Sequence, residues 1–174
     1  ILNIASKKGA IPLKRPKKYC TNKSNANDVV KHFIKSLPKK VFKKNPYIVY
    51  LQPTSPLRKG KHISQAFKIL QKSNTKKLVS VKLSDSSVLK SFFLYKNKLN
   101  LIYSKNLANI NRQNLPKVYV LNGAIYIFTI KEFLKKKKFP VTNLSSLVMN
   151  LKDSIDIDYS GDLNMARHIT RQQQ

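Results

Sequence analysis

The sequence predicts an α/β domain, a mostly parallel sheet layered between helices, and three observations carry that prediction. A continuous β-favouring run, Tyr47-Ile48-Val49-Tyr50, ends in the polar, proline-braced segment Leu51-Gln52-Pro53-Thr54-Ser55-Pro56-Leu57-Arg58, as a buried strand does where it opens into a loop. An amphipathic stretch through Ile63, Phe67 and Leu70 then leads to a second apolar run, Leu78 to Leu83, completing the strand, helix, strand order of a βαβ unit. The third observation is an acidic pair in Ser154-Ile155-Asp156-Ile157-Asp158, within a chain that has only 7 acidic residues. A length of 174 residues, 41% of them hydrophobic, suffices for one core, so a single domain over 1–174 is expected.

Along the chain, residues 1–9 read as the last turns of an amphipathic helix closed by Gly9, and a sequence that opens inside a helix is expected to lack its beginning. Ile11 and Leu13 suggest a short strand ahead of Arg15-Pro16. A helix from about residue 27 to Leu37 follows, with Asp28 as its expected cap and Val29, Val30, Phe33, Ile34 and Leu37 as its buried stripe. After Leu83, the runs Phe92 to Tyr95 and Leu99 to Tyr103 around Lys96-Asn97-Lys98 predict a hairpin that leaves the main sheet. Two strands, Val118 to Leu121 and Ala124 to Phe128, flank Asn122-Gly123, whose glycine accepts a positive φ or admits a ligand closely. A short helix begins at Ile130, the acidic segment forms a strand, and a helix over Asp162 to Ile169 closes the chain.

The net charge of +28 comes from 30 lysines and only 5 arginines spread over the whole length, beside 16 asparagines. Specific reading of phosphate or base edges favours the bidentate arginine fork, so a specific nucleic-acid partner is not expected, although adhesion to polyanions in dilute salt is. The run Lys135 to Lys138 suits a solvated helix end. No apolar stretch reaches the roughly 20 residues that cross a bilayer, and a soluble, cytoplasmic protein is expected. Cys20 is the sole cysteine, which excludes an intrachain disulfide and points to a small buried filler rather than a nucleophile.

Pro53 and Pro56 fix two φ angles, so the segment from Gln52 to Arg58 is stiff before any ligand arrives. Gln52 offers a carboxamide, Thr54 and Ser55 offer hydroxyls, and Arg58 either holds an anion or braces the following helix through backbone carbonyls. Two readings stand side by side: a sugar or nucleotide contact, and a tight connection with no ligand. In a strand Asp156 and Asp158 project to one face while Ile155 and Ile157 enter the core, and two converging carboxylates suit Mg2+, which takes hard oxygen ligands. Four of the 7 acids, Asp153, Asp156, Asp158 and Asp162, fall within ten residues; the competing reading is charge balance, and Asp162 reads better as helix-terminus chemistry. His32, His62 and His168 fall on predicted helices away from these motifs and read as structural or solvent-facing.

The segment Leu51 to Arg58 resembles the signature of the acylneuraminate cytidylyltransferases, the family that activates sialic acids, and so do Asn122-Gly-Ala-Ile-Tyr-Ile127 and Ser154 to Asp158. Arg112-Gln113-Asn114-Leu115-Pro116, Arg15-Pro16 and Asp28-Val29 are similar to further landmarks of that family, and all come in its order. The resemblance implies a three-layer, Rossmann-like nucleotide-diphospho-sugar transferase fold and a Mg2+-dependent homodimer. Its reaction transfers CMP from CTP to N-acetylneuraminate or a related nonulosonic acid. It further implies Arg15 on the nucleotide side, Gln52 and Tyr126 at the sugar, Lys90 and Arg112 reaching the sugar carboxylate across the dimer from an excursion over 85–120, and Asp156 and Asp158 on the metal.

The departures carry expectations too. The family's first strand and glycine-rich phosphate loop have no counterpart here, so the chain is expected to be an amino-terminally truncated member with little activity of its own. Val120-Leu121 stands where the family has Arg-Pro, and Asn22 where it has an aspartate. The alternative is a degenerate relative that binds a nucleotide or sugar as a dimer without catalysis.

Overall fold

The structure, a computed structural model, describes residues 2–21 and 24–172; the Asn22 position lies outside the described residues. Helix α1, Leu2–Lys7, is closed by Gly9 at φ +81°. Ile11 and Leu13 form no strand, and Ile11 is 97% exposed, because no neighbouring strand takes up their backbone groups. Cys20 is exposed, not a buried filler, with its thiol toward the Arg15 and Pro16 carbonyls. Helix α2, Ala26–Ser36, is capped by Asn25, whose side chain accepts from Asp28 N at 3.0 Å; the cap expected at Asp28 falls three residues earlier. Its Val30 and Ile34 are buried, while Phe33 stays 39% exposed.

Helix α3, Lys39–Lys44, precedes strand β1, Tyr47–Tyr50, and helix α4, Gly60–Lys72, leads to strand β2, Lys77–Ser84. The hairpin forms as two strands, β3 over Phe92–Tyr95 and β4 over Lys98–Leu101, in a sheet of their own. Lys96 and Asn97 both take positive φ, 46° and 59°, the backbone that a tight two-residue turn needs. Helix α5, Lys105–Ala108, follows, then strand β5, Val118–Thr129, helix α6, Ile130–Lys136, strand β6, Ser145–Val148, and helix α7, Ser160–Arg171.

The main sheet has the order β1-β5-β2-β6. Strands β1, β2 and β6 run in one direction, as a mostly parallel sheet requires, but β5 inserts antiparallel between β1 and β2. The sheet is therefore mixed, with two antiparallel ladders and one parallel ladder, and the expected parallel pairing of β1 with β2 is replaced by pairing through β5. Alternation along the strands sends successive residues to opposite faces. Val49 and Ile127 pack with Ala66 and Leu70 of α4, whereas Ile48 and Phe128 pack with Val30 and Ile34 of α2 and Phe133 of α6. Among the described residues no helix is long and apolar enough to cross a membrane.

Candidate functional site

The site grows from an irregularity in one strand pair. Val79 pairs with Tyr126 and Val81 with Leu121, so Ser80 alone faces the whole segment from Asn122 to Ile125. The two strands expected on either side of Asn122-Gly123 are thus one strand, β5, bulged at that point. Such a bulge leaves backbone groups without ladder partners, and buried side chains replace them. Ser80 Oγ donates to Asn122 Oδ1 at 2.6 Å and accepts from Ile125 N at 2.7 Å. Asn122 Oδ1 also accepts from Ala124 N at 3.2 Å, and its Nδ2 donates to Ser154 Oγ at 2.9 Å. The bulge is thereby tied to the acidic segment.

At the crest of the bulge Gly123 has φ +73°, and a Cβ there would sit 2.5 Å from Gln52 Oε1 and 2.7 Å from Asp156 Oδ2. The carboxamide of the first motif and a carboxylate of the third therefore meet on the bare Cα of the second. Arg58 braces the backbone that carries Gln52: Nη1 donates to the Gln52 main-chain carbonyl at 3.1 Å and the Ala124 carbonyl at 2.8 Å. Of the two roles open to Arg58, the structure selects backbone bracing, across the turn and onto β5. Burial lowers its pKa from the ordinary arginine value, leaving it charged. Arg58→Ala is expected to cost about 1–3 kcal/mol, the range for charged hydrogen bonds lost onto buried acceptors, measured as a shift of the urea midpoint at unchanged slope.

The acidic segment is a loop rather than a strand. After a 3-10 turn over Lys152–Ser154, Ile157 N donates to Thr54 O at 2.8 Å, and Asp158 N and Tyr159 N donate to Asp162 Oδ2 at 3.1 and 2.9 Å. Those partners use up the backbone groups that a sheet would need. Asp162 is accordingly a helix-terminus residue, as its position predicts. Asp156 is half-buried, and its Oδ1 is buried without a hydrogen-bond partner, whereas Asp158 is exposed. Among the described residues no three His, Cys, Asp or Glu side chains gather around one point.

Tyr126 and Gln52 line a cavity of about 350 Å³ with Tyr50, Leu121, Phe139 and Val141. Tyr126 lies edge-on to Tyr50 at 6.0 Å between centroids and 5.3 Å from Phe139. Burial raises the Tyr126 pKa above the ordinary phenol value, and the negative charge of Asp156 raises it further, so its hydroxyl remains a donor at neutral pH. Phe139 carries no sequence signal, since it ends a run of lysines, yet its N–H is fixed by Asn27 Oδ1 at 2.8 Å. Arg15 is exposed and lines a neighbouring groove that shares Tyr50; the Tyr50 hydroxyl is raised by burial and lowered by the Arg15 charge.

Lys90 and Arg112 do not line this cavity. Lys90 ends the 3-10 turn Ser86–Lys90, and Arg112, in the turn Arg112–Asn114, pairs with Asp85 at 2.6 Å on the surface. The Asp85 carboxyl is held below its usual range first by the Ser87 backbone N–H, with Arg112 adding to the effect.

His62, expected to lie away from the motifs, sits between two of them. It is 5% exposed in the first turn of α4, accepts from Lys59 N through Nδ1 at 3.0 Å, and places Nε2 3.4 Å from Asp153 Oδ2. Burial holds its pKa below the ordinary imidazole value; Asp153 opposes this, and Lys61 and Lys59 reinforce it. A lowered folded-state pKa contributes stability that is fully present above the unfolded value and lost as pH falls through the folded one. The thermal midpoint is therefore expected to hold from about pH 8 to about pH 6.5 and to fall below that. The fall should be steeper in wild type than in His62→Gln; superimposable profiles would remove His62 from the acid response.

No family model matches the chain. Among curated proteins it is similar to the N-acylneuraminate cytidylyltransferase of Escherichia coli O18:K1:H7, 32% identical over an alignment of 182 positions that covers 98% of this chain and 39% of that protein. It is similar also to the N-acylneuraminate cytidylyltransferase of Streptococcus agalactiae serotype III, at 27% identity over 91% of this chain and 37% of the relative. A third relative is the CMP-N,N'-diacetyllegionaminic acid synthase of Legionella pneumophila, 35% identical over 64% of this chain and 48% of its own length. The chain spans less than half the length of each of these relatives.

Proposed function

We propose that the protein carrying this chain transfers CMP from CTP to a nine-carbon sugar acid of the acylneuraminate and legionaminate class. One observation supports this above the others: Gln52 Oε1 and Asp156 Oδ2 converge on Gly123, so three segments far apart in sequence build one polar floor beside the Tyr126 cavity. The anomeric hydroxyl of the acid attacks the α-phosphorus, forming a P–O bond as the bond to the bridging oxygen breaks. Pyrophosphate departs, and the hydroxyl proton passes to solvent. Gln52 donates to and accepts from the acceptor's hydroxyls, and the protonated Tyr126 hydroxyl donates to it. Phe139 and Tyr50 exclude water from its apolar substituents, and Arg15 faces the nucleotide. The finer fold assignment, a nucleotide-diphospho-sugar transferase domain, belongs to the same reading.

The donor set fits Mg2+. Asp156 presents a buried carboxylate oxygen with no protein donor, a hard ligand left open beside the Gln52 turn; Asp158 is the second ligand in this reading. When bound, Mg2+ neutralises charge on the phosphate oxygens. Among the described residues the cavity lining holds no cation, so in this reading the acceptor carboxylate is met by Lys90 and Arg112 of a second copy. That copy docks on the hairpin, whose Phe92, Phe93, Leu94, Tyr95 and Leu99 are all exposed.

One observation favours a second reading, a binding relative without turnover: Leu121, 53% exposed, lines the cavity mouth next to Val120, where the related family carries a basic residue. Incubation of the protein carrying this chain with CTP, Mg2+ and either N-acetylneuraminate or N,N'-diacetyllegionaminate, with the product identified by mass, separates the two. A CMP-sugar formed with one acid carries the transferase reading. Saturable binding of CTP or acid with no CMP-sugar carries the second, and neither binding nor product defeats both.

A further inference from the structure

We propose that His62 is a positioning residue that locks the Gln52 turn and the Asp156 loop into one unit. The inference goes beyond the transferase reading, since it concerns which element sets the relative placement of the two side chains over Gly123. The Gln52 turn ends at Arg58, and the next residue, Lys59, gives its N–H to His62 Nδ1 at 3.0 Å. An acceptor at Nδ1 puts the imidazole proton on Nε2, and Nε2 faces Asp153 Oδ2 at 3.4 Å. Both partners are buried, His62 at 5% and Asp153 at 8% exposure, so water does not compete for the pair.

Asp153 and Ser154 are neighbours in one 3-10 turn and are gripped from different elements. His62 of α4 holds Asp153, while Asn122 of the β5 bulge holds Ser154 through Oγ at 2.9 Å. Two residues further on, Asp156 meets Gln52 over Gly123. Asn122 alone would orient the loop only against β5. The Gln52 turn reaches the loop by one backbone bond, Ile157 N to Thr54 O at 2.8 Å, and His62 adds the second point that stops rotation about it. Deleting that point should free the loop from the turn and leave the sheet intact.

The Ile157 amide reports this directly, because it bridges the two segments and does not touch His62. In a side chain replacing histidine, asparagine places its polar atoms near Nδ1 and glutamine near Nε2. His62→Asn therefore keeps the contact with Lys59 and loses Asp153, whereas His62→Gln keeps the reach to Asp153. Amide hydrogen exchange of the 174-residue chain is expected to speed up about tenfold or more at Ile157 in His62→Asn. It should stay within about threefold of wild type in His62→Gln, with Leu78 and Ile127 in the sheet unchanged in both. Equal exchange at Ile157 in the two variants, or acceleration spread evenly over the sheet amides, would overturn the proposal. Should His62→Asn fail to fold, Asp153→Leu leaves the Lys59 contact untouched and carries the same expectation at Ile157; unchanged protection there overturns it equally. The readout needs no nucleotide, sugar acid or metal, so absence of CMP transfer would defeat the transferase reading and leave this result standing.

Discussion

Gly123→Ala is expected to damage the site far more than the fold. Its backbone lies at φ +73°, where a non-glycine residue costs about 1–2 kcal/mol, and denaturant unfolding should register a loss of that size. The new methyl group would also meet Gln52 Oε1 at 2.5 Å and Asp156 Oδ2 at 2.7 Å. Both atoms end flexible side chains, so the clash is relieved by pushing them away rather than by unfolding β5. Those are the two groups proposed to hold the acceptor and the metal, and a displacement of about 1 Å in such a site costs on the order of a hundredfold in rate. The measurement is a paired one, stability and CMP transfer on the same variant. Loss of stability with unchanged transfer would show that nothing reacts over Gly123.

Asp156→Asn is the second large effect. The substitution keeps the shape of the side chain and removes its charge, and the Oδ1 atom has no hydrogen-bond partner to lose, so the fold should persist. Mg2+-supported transfer should fall about a hundredfold or more, equivalent to the few kcal/mol that a metal ion supplies to a transferring phosphoryl group. Asp162→Ala gives the contrast. It removes an acceptor for the Asp158 and Tyr159 amides and should cost about 0.5–2 kcal/mol of stability with a much smaller effect on rate. If Asp162→Ala and Asp156→Asn lose transfer equally, the acidic loop matters for its conformation and not for its charge.

The elements that local pattern determines were legible in the sequence. β1, β2, α4 and the β3–β4 hairpin lie where apolar periodicity and turn residues place them, because period and turn chemistry are carried by residues near one another in sequence. The insertion of β5 between β1 and β2 was not legible, since Tyr50 to Tyr126 and Val79 to Tyr126 are pairings across long separations that no local period encodes. The loop from Ile155 to Asp158 reads as a strand because apolar and acidic residues alternate. What overrides the alternation is the supply of other partners, Thr54 O for Ile157 and the Asp162 carboxylate for Asp158 and Tyr159. Gln52, Tyr126 and Asp156 were visible through their motifs. Phe139 and His62 were not, because one follows a lysine run and the other owes its importance to Asp153, which is distant in the chain and adjacent in space.

In the transferase reading Asp156, facing Gln52 over Gly123, is the point where a nucleotide-bound metal ion would sit. Paramagnetic broadening by Mn2+ with CTP, recorded on the amide resonances of the 15N-labelled chain, tests that placement most directly, because the effect falls steeply with distance from the ion. The Gly123, Asp156 and Ile157 amides should broaden first, and broadening there should be abolished in Asp156→Asn. Broadening centred instead on Asp28, Asp85 or Glu132, or an unchanged pattern in Asp156→Asn, would contradict the account.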